Sequence, residues 1–313
     1  MAQTATFNRP TLGDYPVAAT VGMFDGVHLG HRWLINQLQE QASRLGMRSA
    51  IITFNQHPQS VLKPGTTVAM ITPLKLRMQL LNSTGVDSII TLDFTPELSQ
   101  LDSTAFMKLI SRDYGVKALT VGFNHRFGHN RNETYSDYRA NGATLGITVE
   151  QACEYSGPVA PVSSSIIRNL INNGQVASAA TKLGRYHSLT GTVVHGQRRG
   201  TALGFPTANI EPQPGTLIPA NGVYAVRVIT PDSLTRGGMA NIGSHPTFPG
   251  GEPTLEVNIF DFDGDIYGES VTIEFIDRLR DERAMTGPQE LTQQLADDLK
   301  NAHKILSESL PKL

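Results

Sequence analysis

Glycines and histidines are concentrated in residues 22–31, which read Gly-Met-Phe-Asp-Gly-Val-His-Leu-Gly-His. Glycines such as Gly22 and Gly26 let a backbone approach a ligand closely. His28 and His31 are three residues apart, so they lie on the same side if the chain is helical there. Imidazoles in that arrangement can donate hydrogen bonds to charge that develops on a phosphoryl group. The stretch therefore indicates a site for a nucleotide phosphate.

The elements on either side of this stretch agree with that interpretation. Residues 15–21 form an apolar run typical of a buried strand, and apolar residues recur at helical spacing over 31–46. The start of the helix would present unpaired backbone amides to an anion. Other interpretations stay open, because paired histidines can bind a metal, one histidine can be structural, and glycines can simply form a turn.

Further candidate residues follow two later strand-like runs. Phe54, His57 and Pro58 stand where the first of these runs ends, and Asn124 and Arg126 follow the second. An aromatic residue beside Asn and Arg suits a flat ring with a phosphate tail, through stacking and charge-assisted hydrogen bonds. Without a ligand, the same residues would be a core phenylalanine, a loop histidine and a surface arginine.

Three successive serines, Ser163, Ser164 and Ser165, open a predicted helix, and Arg168 follows one turn later. Serines at a helix start cap exposed amides or hydrogen-bond a phosphate. Capping alone needs one serine, so the three serines with the arginine suggest an anion site.

The second half of the chain has its own glycine-rich stretch, residues 191–209. Thr207 and Asn209 offer hard oxygen ligands of the type that Mg²⁺ accepts beside phosphate oxygens and water. The Gly-Lys-Ser/Thr of a Walker A loop is absent from this stretch. The plain alternative is a glycine-rich loop with a proline turn.

The spacing of apolar runs predicts two domains, residues 1–184 and 185–313. In the first domain, predicted strands alternate with helices, and the strands lie near residues 49–54, 86–92, 117–121 and 147–151. This alternation predicts a doubly wound, mostly parallel sheet. Ligands of such a sheet are expected at the carboxyl ends of its strands. In the second, strand-like runs without intervening helices predict an antiparallel β-barrel, and a leucine stripe predicts a terminal helix packed on it.

Composition narrows the possible partners and location. The chain has 313 residues, of which 39% are hydrophobic and 17% charged, and a net charge of −2. That balance argues against a large nucleic-acid surface. Cys153 is the only cysteine, which fits a reducing compartment. With neither a membrane-length apolar run nor a signal pattern at the start, the sequence predicts a cytoplasmic protein without a membrane partner.

Several stretches together resemble one family. Residues 22–31 resemble the HxGH signature of nucleotidylyltransferases, in the longer form GxFDGxHxGH found in bacterial bifunctional riboflavin kinase/FAD synthetases. Residues 191–209 closely resemble the riboflavin kinase signature GxxxxGxxRGxxLGFPTAN. Shorter matches to the same family lie, in the expected order, at residues 53–58, 121–128, 163–168, 241–248, 255–258 and 261–268.

The resemblance implies a Rossmann-like adenylyltransferase domain, a riboflavin kinase barrel and a role for each candidate residue. His28, His31, Arg168 and Glu256 would be catalytic, and Thr207 and Asn209 would hold Mg²⁺. The flavin would contact Phe54, His57, Pro58, Asn124 and Arg126. The nucleotide would contact Gly22, Phe24, Asp25, Gly26, Ser163, Ser164, Ser165, Arg168, Gly200, Gly204, Pro206 and Thr207.

The implied activity is ATP-dependent phosphorylation of riboflavin to FMN, followed by adenylylation of FMN to FAD. The chain departs from the family pattern at His125, Thr201 and Asn258. A protein with only one active module is therefore an alternative, as is a noncatalytic flavin-binding protein. An aminoacyl-tRNA synthetase with an HxGH motif is disfavoured, because the chain has no KMSKS-like loop and no basic excess.

Overall fold

The fold is that of a computed structural model, which describes residues 15–63, 65, 68–124, 126–130, 132–196, 204–243, 254–283 and 285–309. The chain divides into two compact units, Met1–Ser163 and Ser164–Leu313.

The first unit alternates strands with helices, as predicted. Its strands are β1 Val17–Val21, β2 Arg48–Phe54, β3 Ser88–Leu92, β4 Val116–Val121 and β5 Thr148–Gln151. Its helices are α1 Leu29–Leu45, α2 Pro58–Leu62, α3 Leu74–Asn82, α4 Pro96–Ser99, α5 Ser103–Tyr114 and α6 Tyr135–Thr144.

The five strands form one parallel sheet in the order β3-β2-β1-β4-β5. The chain first moves from β1 towards one edge and then returns to place β4 on the other side of β1. Ligands of such sheets bind where the strand order reverses, beyond the carboxyl ends of the strands. The predicted doubly wound sheet is confirmed, and its reversal point lies at the strand that leads into residues 22–31.

Successive residues of each strand face opposite sides of the sheet, and both sides are covered. Ala18, Ile51 and Ile89 pack on one side with Leu38 of α1 and Leu81 of α3. The other side is covered by α5 and α6, through a cluster that contains Ala19, Ile52, Ile90, Leu119, Phe106, Met107 and Tyr138. The sheet is thus a rigid base for the loops at its carboxyl end.

The second unit contains the barrel. Its elements are α7 Ser164–Asn172, α8 Val176–Leu183, β6 His187–Val194, β7 Ala208–Pro212, β8 Gly222–Ile229, β9 Thr235–Gly243, β10 Thr254–Ile259, β11 Ser270–Arg280 and α9 Pro288–Glu308. The strands close in the order β10-β7-β6-β11-β8-β9, and the pairs are antiparallel. The predicted barrel with a terminal helix is confirmed.

Two features of this unit were not predicted. Strand β7 begins at Ala208, at the end of the glycine-rich stretch of residues 191–209, and continues to Pro212, where the sequence predicts no strand. Helices α7 and α8 group with the barrel, and Val176 of α8 belongs to the barrel core. The functional boundary after residue 184 stays a prediction.

Candidate active sites

The turn between β1 and α1 has a constrained backbone. Phe24, Gly26 and Val27 have positive φ angles of 53°, 91° and 40°. Residues other than glycine rarely have positive φ angles, so the surrounding structure must hold Phe24 and Val27 in this conformation. Both residues are buried, and the Val27 amide donates to the Phe24 carbonyl across 3.0 Å. The turn is therefore a fixed structure.

Asp25 and Gly26 fasten this turn to a distant segment of the first unit. The Asp25 carboxylate accepts hydrogen bonds from the amides of Thr72, at 3.0 Å, and Ile71, at 3.2 Å. The Gly26 amide donates to the Thr72 hydroxyl across 2.8 Å. These bonds give buried Asp25 a role in holding the turn, and its predicted contact with a nucleotide stays a prediction.

His28 is the N-cap of α1. Its Nδ1 atom accepts a hydrogen bond from the His31 amide across 3.1 Å. A ring nitrogen that accepts a hydrogen bond carries no proton, so neutral His28 has its proton on Nε2. Nε2 is therefore the donor atom of a neutral His28, and its contact with a phosphoryl oxygen stays a prediction.

The two histidines lie against each other. Their rings are stacked with centroids 3.6 Å apart and planes 14° apart, and the Phe24 ring meets His31 edge-on at 5.1 Å. A Cβ on Gly30 would come within 3.2 Å of the His28 ring, and one on Gly22 within 3.1 Å of the Phe24 ring. The glycines thus leave room for these rings, and both imidazoles face the same side, as predicted.

A cavity of about 310 Å³ lies at the carboxyl end of β4. Asn124 and Arg126, the residues predicted to contact a flavin, both line it, together with Phe123, Glu133 and Tyr135. We refer to it as the β4 cavity. The structure therefore places the Asn–Arg pair and an aromatic ring at one concave surface.

Phe54, His57 and Pro58 lie at the end of β2. The Phe54 ring meets Phe94 edge-on at 5.4 Å. His57 is the N-cap of α2, since its Nδ1 accepts from the Gln59 amide across 3.2 Å, and Pro58 is the first helical residue. Within the described part of the chain, none of the three predicted residues lines the β4 cavity. Their contact with a flavin stays a prediction.

Buried Arg77 of α3 interacts with two predicted site residues, Phe54 and Asp25, although no sequence pattern points to it. It is 1% exposed, and its guanidinium donates to the Phe54 carbonyl at the end of β2. Burial lowers the pKa of Arg77 to about 10, and the nearby Asp25 carboxylate opposes this shift. Arg77 therefore connects the end of β2 with the turn of the histidine motif. A helical arginine has no local signal for such a role.

The predicted anion site falls at the junction between the two units in the sequence. Ser163 is the last residue of the first unit, and Ser164 and Ser165 begin α7 in the second. Arg168 lies one turn further along the same helix. The phosphate contacts of these four residues stay a prediction.

In the barrel, the strand register aligns three polar residues. Glu256 on β10 is directly opposite Asn209 on β7, and on its other side it is opposite Asn241 on β9. Directly opposed residues of antiparallel strands project to the same face, with Cβ atoms about 5 Å apart. Leu255 and Val257 point into the barrel core. Glu256 therefore belongs to a polar row outside that core.

Asn209 is 6% exposed, and its surroundings hold its side chain in place. A Cβ on Gly196 would collide with the Asn209 amide group, so only glycine leaves the space that this amide fills. Asn258, at a position where the family resemblance expects histidine, donates from Nδ2 to the Pro206 carbonyl across 2.6 Å. Asn258 thus ties β10 to the segment that leads into Thr207.

A cavity of about 250 Å³ lies beside this row. Thr207 and Glu256 both line it, as do Asn241 and Arg280. We refer to it as the barrel cavity. The predicted base and one predicted metal ligand therefore share one concave surface, while Asn209 is opposite Glu256 on the neighbouring strand.

An ion pair connects the barrel cavity with the terminal helix. Arg280 binds both carboxylate oxygens of Asp298 on α9, through Nε at 3.1 and 3.0 Å and through Nη2 at 2.8 Å. Gln294 also donates to Asp298, across 2.8 Å. The Asp298 side chain is 2% exposed. No motif or spacing in the sequence points to either member of this pair.

Some predicted residues lie outside the described part of the chain or at its margin. Gly200 is not among the described residues, and neither are His125 and Thr201. Gly204 is described and has φ 81°. In the described ranges, no three His, Cys, Asp or Glu side chains are grouped as a metal site. Thr207 and Asn209 carry a hydroxyl and an amide oxygen, which a magnesium ion accepts beside phosphate oxygens, and their binding of an ion stays a prediction.

Comparison with protein families assigns both units. A family model described as FAD synthetase matches residues 13–166, and one described as riboflavin kinase matches residues 183–306. A protein of Bacillus subtilis named bifunctional riboflavin kinase/FMN adenylyltransferase is 33% identical, over 92% of each chain. A protein of the same name from Listeria monocytogenes is 35% identical, over 89% of this chain and 88% of its own length.

One solved structure matches nearly the whole chain. It is described as a macrolide-efflux protein from Streptococcus pneumoniae, with 31% identity, a TM-score of 0.85 and 95% coverage of both chains. The term efflux belongs to the description of that protein. In the described part of this chain, no helix combines the length and apolar character needed to cross a membrane. The two family models and the relatives named above show that this chain belongs to the bifunctional riboflavin kinase/FMN adenylyltransferase family, whose transferases act in flavin cofactor biosynthesis.

Proposed function

We propose that the barrel unit phosphorylates riboflavin to FMN, and that the histidine motif of the first unit adenylylates FMN to FAD. Both steps use ATP, and the second releases pyrophosphate. Family membership supports the pair of reactions. The observation that carries the residue assignment is the pairing of Glu256 with Asn209 beside a cavity that Thr207 also lines.

In the kinase step, Glu256 is the proposed general base. The riboflavin 5′-hydroxyl oxygen forms a bond to the γ-phosphorus of ATP while the bond from that phosphorus to ADP breaks. The hydroxyl proton passes to the Glu256 carboxylate. A base must lie within hydrogen-bond reach of the proton that it takes, and a carboxylate in the wall of the barrel cavity can meet this requirement.

Thr207 and Asn209 are the proposed holders of Mg²⁺. Their hydroxyl and amide oxygens fit the preference of this ion for hard ligands beside phosphate oxygens. The packing of Asn209 over Gly196 fixes its amide before any ligand binds. When bound, the ion neutralises charge on the phosphates of ATP. Mg²⁺ is expected to accompany ATP in the adenylyl step as well.

In the adenylyl step, an oxygen of the FMN phosphate forms a bond to the α-phosphorus of ATP, and pyrophosphate leaves. The FMN phosphate is already anionic, so this step needs no general base. His28 donates through Nε2 to an oxygen of the transferring group, and His31 is the second proposed donor. Preorganised donors contribute most where charge develops in the transition state, and the fixed turn around His28 supplies that preorganisation.

The remaining predicted residues are proposed to hold the substrates and the leaving group. Arg168, with the serines at 163–165, is proposed to hold the leaving phosphates, and the backbone of Gly22 and Gly26 is proposed to approach the nucleotide. Asn124 and Arg126 are proposed to contact the flavin at the β4 cavity.

Chromatography of reaction mixtures tests this proposal. Purified protein with riboflavin, ATP and Mg²⁺ should yield FMN and then FAD, and a parallel reaction that starts from FMN should yield FAD. Omission of Mg²⁺, with a chelator present, should stop both steps. If riboflavin yields FMN but no FAD, the first unit is inactive. If FAD forms only from added FMN, the barrel unit is inactive. If neither product forms, the protein binds flavin without catalysing either step.

We also expect these reactions to take place in the cytoplasm. Cys153 is exposed and forms no disulfide, which suits a reducing compartment. Fractionation of cells that produce the protein would test this expectation, since recovery from an oxidising compartment would contradict it.

A further inference from the structure

The β4 cavity contains one carboxylate whose role the reactions above leave unexplained. Glu133 lines this cavity with Asn124 and Arg126. Its Oε2 atom is buried and has no hydrogen-bond partner among the described residues. A buried acceptor without a partner is costly, because it has lost its contacts with water and gained nothing in return. The atom is therefore suited to a donor that arrives with a ligand.

Among the described residues, the start of α6 next to Glu133 is capped without the Glu133 carboxylate. Thr134 is the N-cap of α6, and Asp137 completes a capping box by accepting from the Thr134 amide across 2.7 Å. The capping groups of α6 are thus supplied by its own residues. This leaves the Glu133 carboxylate available for the cavity that it lines.

The polar groups of the β4 cavity match one edge of a flavin ring. The pyrimidine edge of isoalloxazine presents an acceptor, a donor and an acceptor in sequence: the C2 carbonyl, N3–H and the C4 carbonyl. The cavity offers the Glu133 carboxylate as an acceptor, and Asn124 and Arg126 carry donors. The adenine edge of ATP, with an amino donor beside one ring acceptor, would use fewer of these groups.

We propose that Glu133 recognises the flavin by accepting a hydrogen bond from N3–H of the isoalloxazine ring. This inference rests on the proposed adenylylation of FMN by the first unit. A carboxylate repels phosphates, so the ring end of FMN enters the β4 cavity and its phosphate end points away. Glu133 thereby selects flavins that carry a proton on N3.

Kinetics of FAD formation with FMN and with N3-methyl-FMN test the proposal. The methyl group removes the donor and leaves both carbonyls in place. For the unmodified protein, the KM for N3-methyl-FMN should exceed that for FMN by roughly tenfold or more, as expected for loss of one hydrogen bond to a charged group. The kcat should change much less, because the contact lies far from the reacting phosphorus.

Two variants and a control complete the design. Glu133→Ala should raise the KM for FMN by a similar factor and bring the two flavins close to the same KM. Glu133→Gln keeps an acceptor oxygen and should recover part of the discrimination. Glu40→Gln, an exposed residue of α1 that does not line the cavity, should behave like the unmodified protein. Riboflavin phosphorylation should be unchanged in every variant, which verifies the integrity of the barrel unit.

Three outcomes would overturn the inference. Equal KM values for the two flavins in the unmodified protein would exclude the N3–H contact, although FAD formation would still support the proposed function. A rise in the KM for ATP in Glu133→Ala, with the KM for FMN unchanged, would assign Glu133 to the adenine instead. Discrimination between the flavins that survives Glu133→Ala in full would place the contact on another residue.

Discussion

Glu256 and Asn209 are directly opposite each other on the antiparallel strands β10 and β7. The proposed base and the proposed metal ligand are therefore held at a distance set by the sheet ladder, independent of any loop. Pro206, three residues before Asn209, is tied to β10 by Asn258. This arrangement keeps the segment that carries Thr207 beside Glu256, so the site proposed for the kinase step is preorganised.

Replacement of the proposed base tests this arrangement. Glu256→Gln keeps the size of the side chain and removes its ability to take a proton. The kcat for FMN formation should fall by about 10²- to 10⁴-fold, the usual contribution of a general base. FAD formation from added FMN should keep its rate. Rates from chromatography of both reactions measure this, and an unchanged rate of FMN formation would exclude Glu256 as the base.

The two roles of His28 can be separated by paired variants. Asn is a good N-cap, so His28→Asn should preserve the start of α1 and lose the donor at Nε2. His28→Ala loses both the cap and the donor. Both variants should slow FAD formation by about 10²- to 10³-fold, the loss typical of one transition-state donor. FMN formation serves as the internal control, and near-normal FAD formation by His28→Asn would reduce His28 to a cap.

The Arg280–Asp298 pair is expected to position the wall of the barrel cavity. Asp298→Asn should raise the KM for riboflavin more than it lowers kcat, since Asp298 holds Arg280 in the cavity wall and does not itself line the cavity. Breaking a buried pair also costs about 3 kcal/mol of stability. Thermal unfolding and kinase kinetics would measure both effects.

Asp232→Asn is the matched control for that variant. Asp232 pairs with Arg236 at 2.8 Å, but its side chain is 47% exposed, and exposed pairs contribute little. The control should leave the KM unchanged, and it should lower the melting temperature less than Asp298→Asn does, although Asp232 also accepts from the Thr230 hydroxyl and the Leu234 amide. Equal effects of the two substitutions would show that the buried pair has no special part in the kinase site.

Because His187 is buried, we expect the stability of the barrel unit to fall in acid. It is 1% exposed, its Nε2 lies 2.9 Å from the Leu217 carbonyl, and burial lowers its pKa from 6.5 to about 4. Between those values the unfolded chain binds the proton and the folded chain does not, so stability falls as pH falls through this window. The full loss is about 3 kcal/mol.

Unfolding of His187→Gln at several pH values measures this contribution. The variant has no titrating group at this position, so it should lose less stability than the unmodified protein between pH 7 and pH 4.5. The comparison uses the change with pH, because the substitution itself alters stability at neutral pH. Parallel pH profiles of the two proteins would contradict the assignment.

Local patterns in the sequence were enough for the histidine motif. The strand, the glycine-bearing turn and the helix are contiguous, so a short stretch of sequence is enough to predict that His28 and His31 lie close together, although His28 caps α1 and has an extended backbone. The task of Asp25 cannot be predicted in this way, because its partners Ile71 and Thr72 lie more than forty residues along the chain. The motif alone therefore predicts a ligand contact for this carboxylate, and its bonds to distant backbone amides are visible only in the fold.

In the barrel, even more of the site depends on contacts between distant segments, which local sequence patterns do not predict. Strand β7 is five residues long and follows a glycine-rich stretch, so periodicity gave no sign of it. If β7 is not predicted, the pairing of Asn209 with Glu256 cannot be predicted either, because strand register depends on contacts between distant segments of the chain. The family resemblance supplied the role of Glu256, and the Arg280–Asp298 pair lay outside the residues that the resemblance singled out.

Mixing two inactive variants tests most directly whether each unit performs its own step. With riboflavin, ATP and Mg²⁺, His28→Ala alone should stop at FMN, and Glu256→Ala alone should form neither FMN nor FAD. Together they should produce FAD, because FMN released by the first protein is adenylylated by the second. Loss of both steps in either folded variant, or no FAD from the mixture, would contradict the division of the two reactions between the two units.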